Sequence, residues 1–316
     1  MCVCQLPVSS QVTQLGTGDK GSGNNQFYWP RHVTIMADGG GGGVVFVSDA
    51  DNHRIQVLDV RTGTYMRTIG KGEGKGEGQL QWPSCTALYR PTATSPPLLY
   101  VSDYDNHRVV AHNITSGEYM HTLVGGEGSA PRQLKSPIGL LLVEGREWGV
   151  EGEVLVIAEG GNNRLQLVHA TTGAHIRFMG EGHLRSPNYL ALLVQGPACS
   201  SPPCICVGEW GADRVSIFNM QGDVVQVVGG EKGSLPGQLN GVRGVAVSGG
   251  AVPLLYVSDY LNKRVQIYDP TSGAHKGVLP GTYNRPYGLT IHPSTEGNLL
   301  LYVVEWGGNK VTVVKL

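Results

Sequence analysis

The chain has 316 residues, which is enough for one large β domain or two ordinary domains. Its 24 basic and 25 acidic residues nearly cancel, and charged residues make up only 16% of the chain. This balance excludes a polybasic nucleic-acid tail, an acidic tail and a coiled coil. No apolar run approaches the ~20 residues of a membrane span, and the first residues lack the pattern of a secretory signal. Six cysteines are too few for a disulfide scaffold, so we expect a cytoplasmic protein.

One short phrase recurs six times along the chain, about 50 residues apart, a spacing typical of repeat architectures. Each copy holds an acidic residue followed five positions later by a basic residue. The copies are SDADNHR (48–54), SDYDNHR (102–108), AEGGNNR (158–164), GEWGADR (208–214), SDYLNKR (258–264) and VEWGGNK (304–310). An arginine fork can hold a carboxylate with two bonds, so we expect these acid–base pairs to be structural.

The flanks of the phrase predict strands. An apolar run precedes each acid, and apolar residues alternate after each base, which indicates a hairpin across an Asn- and Gly-rich turn. A second turn, a short strand and a Gly-rich loop follow in five of the repeats. A proline then opens the next strand in five cases (Pro30, Pro83, Pro137, Pro187 and Pro286), and Val242 stands at the remaining site. Each repeat therefore predicts four antiparallel strands, and the chain predicts an all-β, six-bladed β-propeller.

Ring closure is also predicted from the sequence. The sixth repeat ends at Leu316 after its third strand, whereas residues 11–15 precede the first Gly-rich loop as a surplus strand. We expect this N-terminal segment to complete the last blade and remove an open edge. The predicted organisation is a loose tail over residues 1–10 and a single propeller over residues 11–316, and we expect a monomer.

The pattern D-x-x-N-x-R between apolar strands, with a proline-led strand, resembles the NHL repeat over residues 11–316. The resemblance implies a propeller that serves as an interaction module, as in the substrate- or RNA-recognising ends of TRIM-type ubiquitin ligases. It also implies an enzyme as an alternative, because peptidylglycine amidating lyases use the same fold. Fold alone does not choose among these roles.

Aromatic and arginine residues concentrate at one end of the predicted propeller, which we call the top. It carries the turns of the repeated phrase and the loops that lead into each blade's first strand. The candidate binding residues there are Trp29, Arg31, Trp82, Tyr104, Tyr189, Trp210, Arg243, Tyr260, Tyr287 and Trp306. Aromatic side chains on loops of a rigid scaffold suggest a binding surface. The alternative interpretation is that these rings pack between blades around the channel mouth.

The sequence favours a non-catalytic scaffold or substrate-recognition module with another protein as its partner, and we expect no cofactor, metal, DNA or membrane. Single-stranded RNA is the main alternative, since aromatics and arginine can stack on bases. Basic residues only slightly outnumber acidic ones on the top, however, and phosphate binding favours a clear basic patch. An amidating lyase would need converging histidines for zinc. His32 and His183 lie near the top, but His292 lies at the opposite end of a strand.

Overall fold

Strands dominate the computed structural model, which describes residues 13–38, 42–92, 94–194, 203–294 and 297–316. The helices among these residues are three short 3-10 turns at Ala50–Asn52, Gly145–Trp148 and Trp210–Ala212. No helix in the described ranges is long and apolar enough to cross a membrane. The strands form six four-stranded antiparallel sheets, so the predicted six-bladed propeller is confirmed.

The strands follow the repeats. The chain begins with β1 (Thr13–Leu15). Blade 1 consists of β2 (Pro30–Ala37), β3 (Gly43–Asp49), β4 (Arg54–Asp59) and β5 (Tyr65–Ile69). Blade 2 consists of β6 (Pro83–Tyr89), β7 (Leu98–Asp103), β8 (Arg108–Asn113) and β9 (Tyr119–Gly125). Blade 3 consists of β10 (Pro137–Glu144), β11 (Glu153–Glu159), β12 (Arg164–His169) and β13 (His175–Met179).

The second half continues in the same way. Blade 4 consists of β14 (Pro187–Leu193), β15 (Cys204–Glu209), β16 (Arg214–Phe218) and β17 (Val224–Gly229). Blade 5 consists of β18 (Val242–Val247), β19 (Leu255–Asp259), β20 (Arg264–Tyr268) and β21 (His275–Val278). Blade 6 adds β22 (Pro286–Pro293), β23 (Leu299–Glu305) and β24 (Lys310–Lys315). All five predicted prolines, and Val242, open the first strand of a blade.

The first strand of each blade contacts the first strands of both neighbouring blades, and β2 meets β22 to close the ring. These six inner strands therefore surround the central channel. The fourth strand of blade 6 is β1, which pairs antiparallel with β24. The predicted closure is confirmed for residues 13–15, whereas residues 11 and 12 and the predicted tail 1–10 lie outside the described residues.

The repeated acid and base stand at the ends of a tight turn, as the second blade illustrates. The Asp103 carboxylate is fully buried and accepts hydrogen bonds from Arg108 Nε (2.8 Å), Asn106 Nδ2 (2.8 Å) and the backbone N–H of Gln81 (2.6 Å). Arg108 Nη2 donates instead to the carbonyl of Gln79 (2.9 Å). The expectation of a two-bond arginine grip is wrong here, because one nitrogen holds the carboxylate while the others fasten the preceding loop.

Candidate functional site

Each inner strand contains a bulge just after its opening residue, at the mouth of the channel. The pairing with the second strand shifts between Pro30 and Val33 in blade 1, and the same shift occurs in the other five blades. Bulges release residues from the ladder and re-aim their side chains, often beside functional sites. The first released residues are, in blade order, Arg31, Ser84, Ile138, Asn188, Arg243 and Tyr287.

Two glycines allow the bulges that carry Arg243, Tyr287 and Arg31 to lie close together. A Cβ atom at Gly244 would clash with the carbonyl oxygen of Tyr287, and one at Gly288 would clash with that of Arg31. The inner strands of blades 5, 6 and 1 can therefore approach more closely than strands with side chains at these positions. This approach places Arg243, Tyr287 and Arg31 side by side around one half of the mouth.

Aromatic rings form a continuous chain along the rim. Trp29 stacks on Trp306 with ring centroids 4.5 Å apart and planes 14° apart. Trp306 meets Tyr260 edge to face at 6.0 Å, and Tyr260 meets Trp210 in the same way at 5.8 Å. Trp82 contacts Trp29 at 6.1 Å. Rings from blades 1, 2, 4, 5 and 6 therefore join into one surface.

Two tyrosines connect this rim to the channel. Tyr287 contacts Tyr260 at 5.9 Å and Tyr189 at 5.8 Å, both edge to face. The Tyr189 hydroxyl lies 3.2 Å from the carbonyl oxygens of both Arg31 and Ser84, so it can donate to either. These contacts fix Tyr189, a residue of blade 4, against residues of blades 1, 2 and 6.

Arginines lie over the ring faces. The Arg243 guanidinium lies 3.6 Å from the Trp210 ring centroid, and its Nη1 donates to Asn188 Oδ1 (3.0 Å). The Arg31 guanidinium lies 4.6 Å from Trp82 and 5.0 Å from Tyr104. Such placements are favourable cation–π contacts.

All ten residues predicted from the sequence thus belong to one contact network, which we call the mouth cluster. The network also contains Arg285, whose guanidinium lies 5.4 Å from the Trp306 ring. Sequence reasoning did not select Arg285 as a site residue. The signal was available, because Arg285 precedes a strand-opening proline just as Trp29 and Trp82 do.

Burial divides the mouth cluster into two layers. Arg31, Tyr189, Tyr260 and Tyr287 are buried, with exposed fractions of 6%, 2%, 8% and 5%. The remaining six predicted residues are half-buried: Trp29, Trp82, Tyr104, Trp210, Arg243 and Trp306. An inner layer therefore packs between blades around the channel mouth, whereas an outer layer reaches solvent, and a binding role for the outer layer stays a prediction.

The backbone is strained at Trp29 and Trp82, two of the four rim tryptophans. Trp29 and Trp82 adopt left-handed φ values of 52° and 56°, which cost a bulky residue on the order of 1–2 kcal/mol. Blade 5 holds Gly241 at the same position, with φ of 76°. Glycine satisfies this geometry without strain, so the rings at 29 and 82 occupy positions where the backbone favours a smaller residue.

The arginines also perturb the buried phenol between them. Burial alone raises the pKa of Tyr287, but the positive charges of Arg243 and then Arg31 outweigh burial and hold the pKa below its usual value. The pKa of Tyr189 is raised well above its usual value by burial and by the neighbouring Tyr287. Arg31 of the inner layer and Arg243 of the outer layer thus both place positive charge beside Tyr287, and neither forms an ion pair among the described residues.

Below the mouth cluster the channel becomes apolar. A cavity of about 350 Å³ is lined there largely by aliphatic residues such as Leu190, Val245 and Leu289. At its upper end the His32 ring stacks on Tyr189 at 5.3 Å, and burial lowers the pKa of His32 to about 3. Among the described residues, no group of three or more His, Cys, Asp or Glu side chains is placed to hold a metal ion.

Comparisons with known proteins identify the fold and no family. The sequence matches no protein-family model and shows no significant similarity to a curated protein. Among solved structures, the chain is similar to an inactive variant of virginiamycin B lyase from Staphylococcus aureus with quinupristin. That comparison gives a TM-score of 0.59 at 13% identity, covering 97% of this chain and 99% of the lyase.

The chain is also similar to hydrazine synthase from Kuenenia stuttgartiensis, with a TM-score of 0.58 at 14% identity. That comparison covers 92% of this chain and 96% of the other. Selenomethionine-substituted virginiamycin B lyase matches at 12% identity with a TM-score of 0.57, over 97% of this chain and 99% of that one. Similarity at this level supports the six-bladed propeller and does not establish the NHL family or an activity.

Proposed function

We propose that this chain is a non-catalytic protein-interaction module of the NHL type, and that it binds its partner through the mouth cluster. The observation that carries the proposal is the outer layer of Trp, Tyr and Arg side chains, gathered at one end of the ring and half-exposed. These residue types are enriched at the energetically dominant positions of protein interfaces.

The inner layer makes this surface rigid before any partner arrives. Tyr189, Tyr260 and Tyr287 are buried and are held by contacts that cross blade boundaries. A preorganised surface loses little conformational entropy on binding, which favours affinity. Fold similarity to enzymes at 12–14% identity does not decide between catalysis and recognition, so the proposal rests on the mouth cluster itself.

RNA remains the alternative outcome of the test and is less favoured by the geometry. Base stacking needs free ring faces, whereas Trp29 and Trp306 cover each other and Arg243 covers a face of Trp210. The formal net charge of the chain is −1, so general attraction to phosphates is weak.

The test is recovery of partners from native lysate, with and without ribonuclease, using wild type and the double variant Trp210→Ala/Trp306→Ala. Alanine is compatible with this turn, because Ala50 occupies the same position in blade 1. The matched control is Val194→Ala/Val252→Ala on the opposite face, where both valines are exposed. We expect ribonuclease-resistant partners that the control retains and the tryptophan variant loses.

Equal recovery by wild type and the tryptophan variant would reject the mouth cluster as the binding surface. Partners that disappear with ribonuclease, together with enrichment of RNA that depends on Arg31 and Arg243, would replace protein recognition by RNA recognition.

A further inference from the structure

The side chain of Arg31 is a buried cation whose Nε atom lacks a polar partner among the described residues. It is 94% buried, its Nε atom has no hydrogen-bond partner in the described part of the chain, and its neighbours are the rings of Trp82, Tyr104 and Tyr287. Buried polar groups in native proteins are nearly always hydrogen-bonded, and a buried charge without a partner is costly. An external acceptor at this position would give the Nε atom the partner it lacks.

Arg243 of blade 5 also has a buried nitrogen atom without a polar partner among the described residues. Its Nη1 atom bonds to the neutral amide of Asn188, while its buried Nε atom has no partner among the described residues. The ion pairs of the described residues include neither Arg31 nor Arg243, whereas the turn arginines of blades 1 to 5 each pair with a carboxylate. Among the described residues, Arg31 and Arg243 thus lack the carboxylate partner that those turn arginines have.

Tyr287 marks the point where the two arginines converge. The guanidinium carbons of Arg31 and Arg243 lie 5.8 Å and 5.0 Å from its ring centroid. Their combined charge holds the pKa of the Tyr287 hydroxyl below its usual value in spite of burial. Tyr287 therefore has two positive charges beside it, and neither takes part in an ion pair with a described acidic side chain.

We propose that Arg31 and Arg243 form an anion pocket that receives a carboxylate, supplied by an aspartate or glutamate side chain of an acidic peptide segment in the partner. The planar guanidinium matches a planar carboxylate. The aromatic rim suits the flanking peptide, and the aliphatic channel below stops the charged group at the mouth. This inference deepens the proposed function and rests on it for the identity of the ligand as a peptide.

The test measures anion binding by thermal unfolding and tryptophan fluorescence at constant ionic strength. The probes are sodium glutarate and its neutral analogue glutaramide. Glutarate raises the melting temperature of wild type and changes its fluorescence with saturation, because a ligand that binds only the folded state stabilises it. Glutaramide does neither. Equal effects of the two compounds would overturn the proposal.

Arginine variants separate the pocket from the rest of the mouth cluster. Arg31→Gln and Arg243→Gln each weaken glutarate binding by about tenfold or more, since each removes a buried charged donor. Arg285→Gln is the matched control, because Arg285 belongs to the same cluster but is exposed. Similar losses in all three variants would indicate general electrostatic attraction and overturn the proposal.

The unliganded melting temperature provides an independent check on Arg31. Arg31→Gln removes a costly buried charge together with its favourable ring contacts, and because these two effects oppose each other we expect a melting temperature close to that of wild type. A variant that melts well below wild type would show that the guanidinium serves packing, and the anion pocket would be rejected.

Four further probes identify the source of the anion. The peptide acetyl-Gly-Ser-Glu-Ser-Gly-amide binds more tightly than glutarate, and its Gln counterpart does not bind. Tighter binding of free glutarate than of the peptide would overturn the peptide assignment. Tighter binding of inorganic phosphate or oligouridylate would overturn the carboxylate assignment.

The two proposals fail in distinguishable ways. Partner recovery that depends on Trp210 and Trp306 but not on Arg31 and Arg243 supports the proposed function and rejects the anion pocket. Glutarate binding that depends on both arginines, without partner recovery through the tryptophans, supports the pocket and rejects the protein-interaction function.

Discussion

Residue positions in the mouth cluster depend on local irregularities of the backbone. Trp29 and Trp82 stand in left-handed conformations just before an inner strand, and Arg31, Arg243 and Tyr287 stand in the bulges just after its start. In a regular strand, Arg31, Arg243 and Tyr287 would have paired with the second strand of their blade. The irregularities turn them towards the channel mouth and so create the candidate site.

The sequence predicted which residues gather at the mouth, because the aromatics recur at fixed offsets from the repeated acid and from the strand-opening proline. It did not predict which of them are buried. Burial of Tyr189 depends on Arg31 and Ser84 from two other blades, and such contacts have no signature within one repeat. Arg285 was missed although its place before Pro286 was visible in the sequence, and its contact with Trp306 shows that it belongs to the cluster.

His32 predicts a pH dependence of stability. Its pKa is lowered to about 3 by burial, whereas an unfolded histidine takes up its proton near pH 6.5. Between these values the unfolded chain binds more protons, so acidification favours unfolding and stability rises with pH. From pH 7 to pH 5 we expect His32 to contribute a loss of about 1–2 kcal/mol.

The measurement for His32 is urea unfolding at pH 7 and pH 5 for wild type and His32→Asn. The variant should lose less stability on acidification than wild type by about that amount, whatever its stability at pH 7. An equal loss in both proteins would show that His32 ionises in the folded state.

At the scale of elements, the turn that joins the second and third strands of each blade is a small buried polar network. In blade 2 it couples the hairpin to the preceding loop through Arg108. Blade 6 differs, because Lys310 Nζ lies 3.6 Å from Glu305 Oε1, whereas Thr312 and the backbone N–H of Asn284 donate the shorter bonds to that carboxylate.

Removal of the base should therefore cost more in blade 2 than in blade 6. Arg108→Met leaves a fully buried carboxylate without its cation and releases the loop, and we expect a loss of about 3 kcal/mol. Lys310→Met removes a longer and more exposed contact, and we expect about 1 kcal/mol. Urea unfolding of both variants measures the difference. Equal losses would contradict the distinct roles of the two turns.

Strand openings could be predicted in all six blades because a proline or valine follows a Gly-rich loop ahead of each repeated phrase. The bulges could not, since the apolar pattern of an inner strand is the same whether or not its first residues pair. The 3-10 turn at Gly145–Trp148 was also missed, because it lies in an insertion that no other repeat shares.

At the scale of the whole molecule, the ring depends on the N-terminal strand. β1 covers the edge of β24, and Leu15 is 4% exposed in a core cluster with Phe27 and Val311. Loss of this strand would leave an unpaired edge and an exposed apolar surface. Deletion of residues 1–16 should therefore lower the melting temperature sharply.

Point variants test the closure without deletion. Leu15→Asn should cost about 2–4 kcal/mol because it places a polar amide in a buried apolar position, whereas Gln14→Asn on the exposed side of the same strand is nearly neutral. Denaturant unfolding compares the two. Similar small effects at both positions would show that the strand does not close the ring in solution.

The mouth is also asymmetric around the ring, which is a property of the assembled molecule. Blade 3 presents Ser136, Ile138 and Gly160 where other blades present Trp, Arg or Tyr. The charged and aromatic part of the mouth is built by blades 4, 5, 6 and 1 with Trp82 and Tyr104 of blade 2, so that blade 3 interrupts it. A partner that carries an acidic group is therefore expected to approach off the axis of the channel.

Hydroxyl-radical footprinting of the five tryptophans, with and without the recovered partner, tests the central claim most directly. Trp29, Trp82, Trp210 and Trp306 belong to the mouth cluster, whereas Trp148 lies on the opposite face, where its Nε1 donates to the carbonyl of Met220 (2.8 Å). Trp148 thus provides an internal control. The account predicts that the partner protects the four mouth tryptophans from oxidation and leaves Trp148 unchanged. Protection of Trp148 with unchanged oxidation of the other four would contradict it.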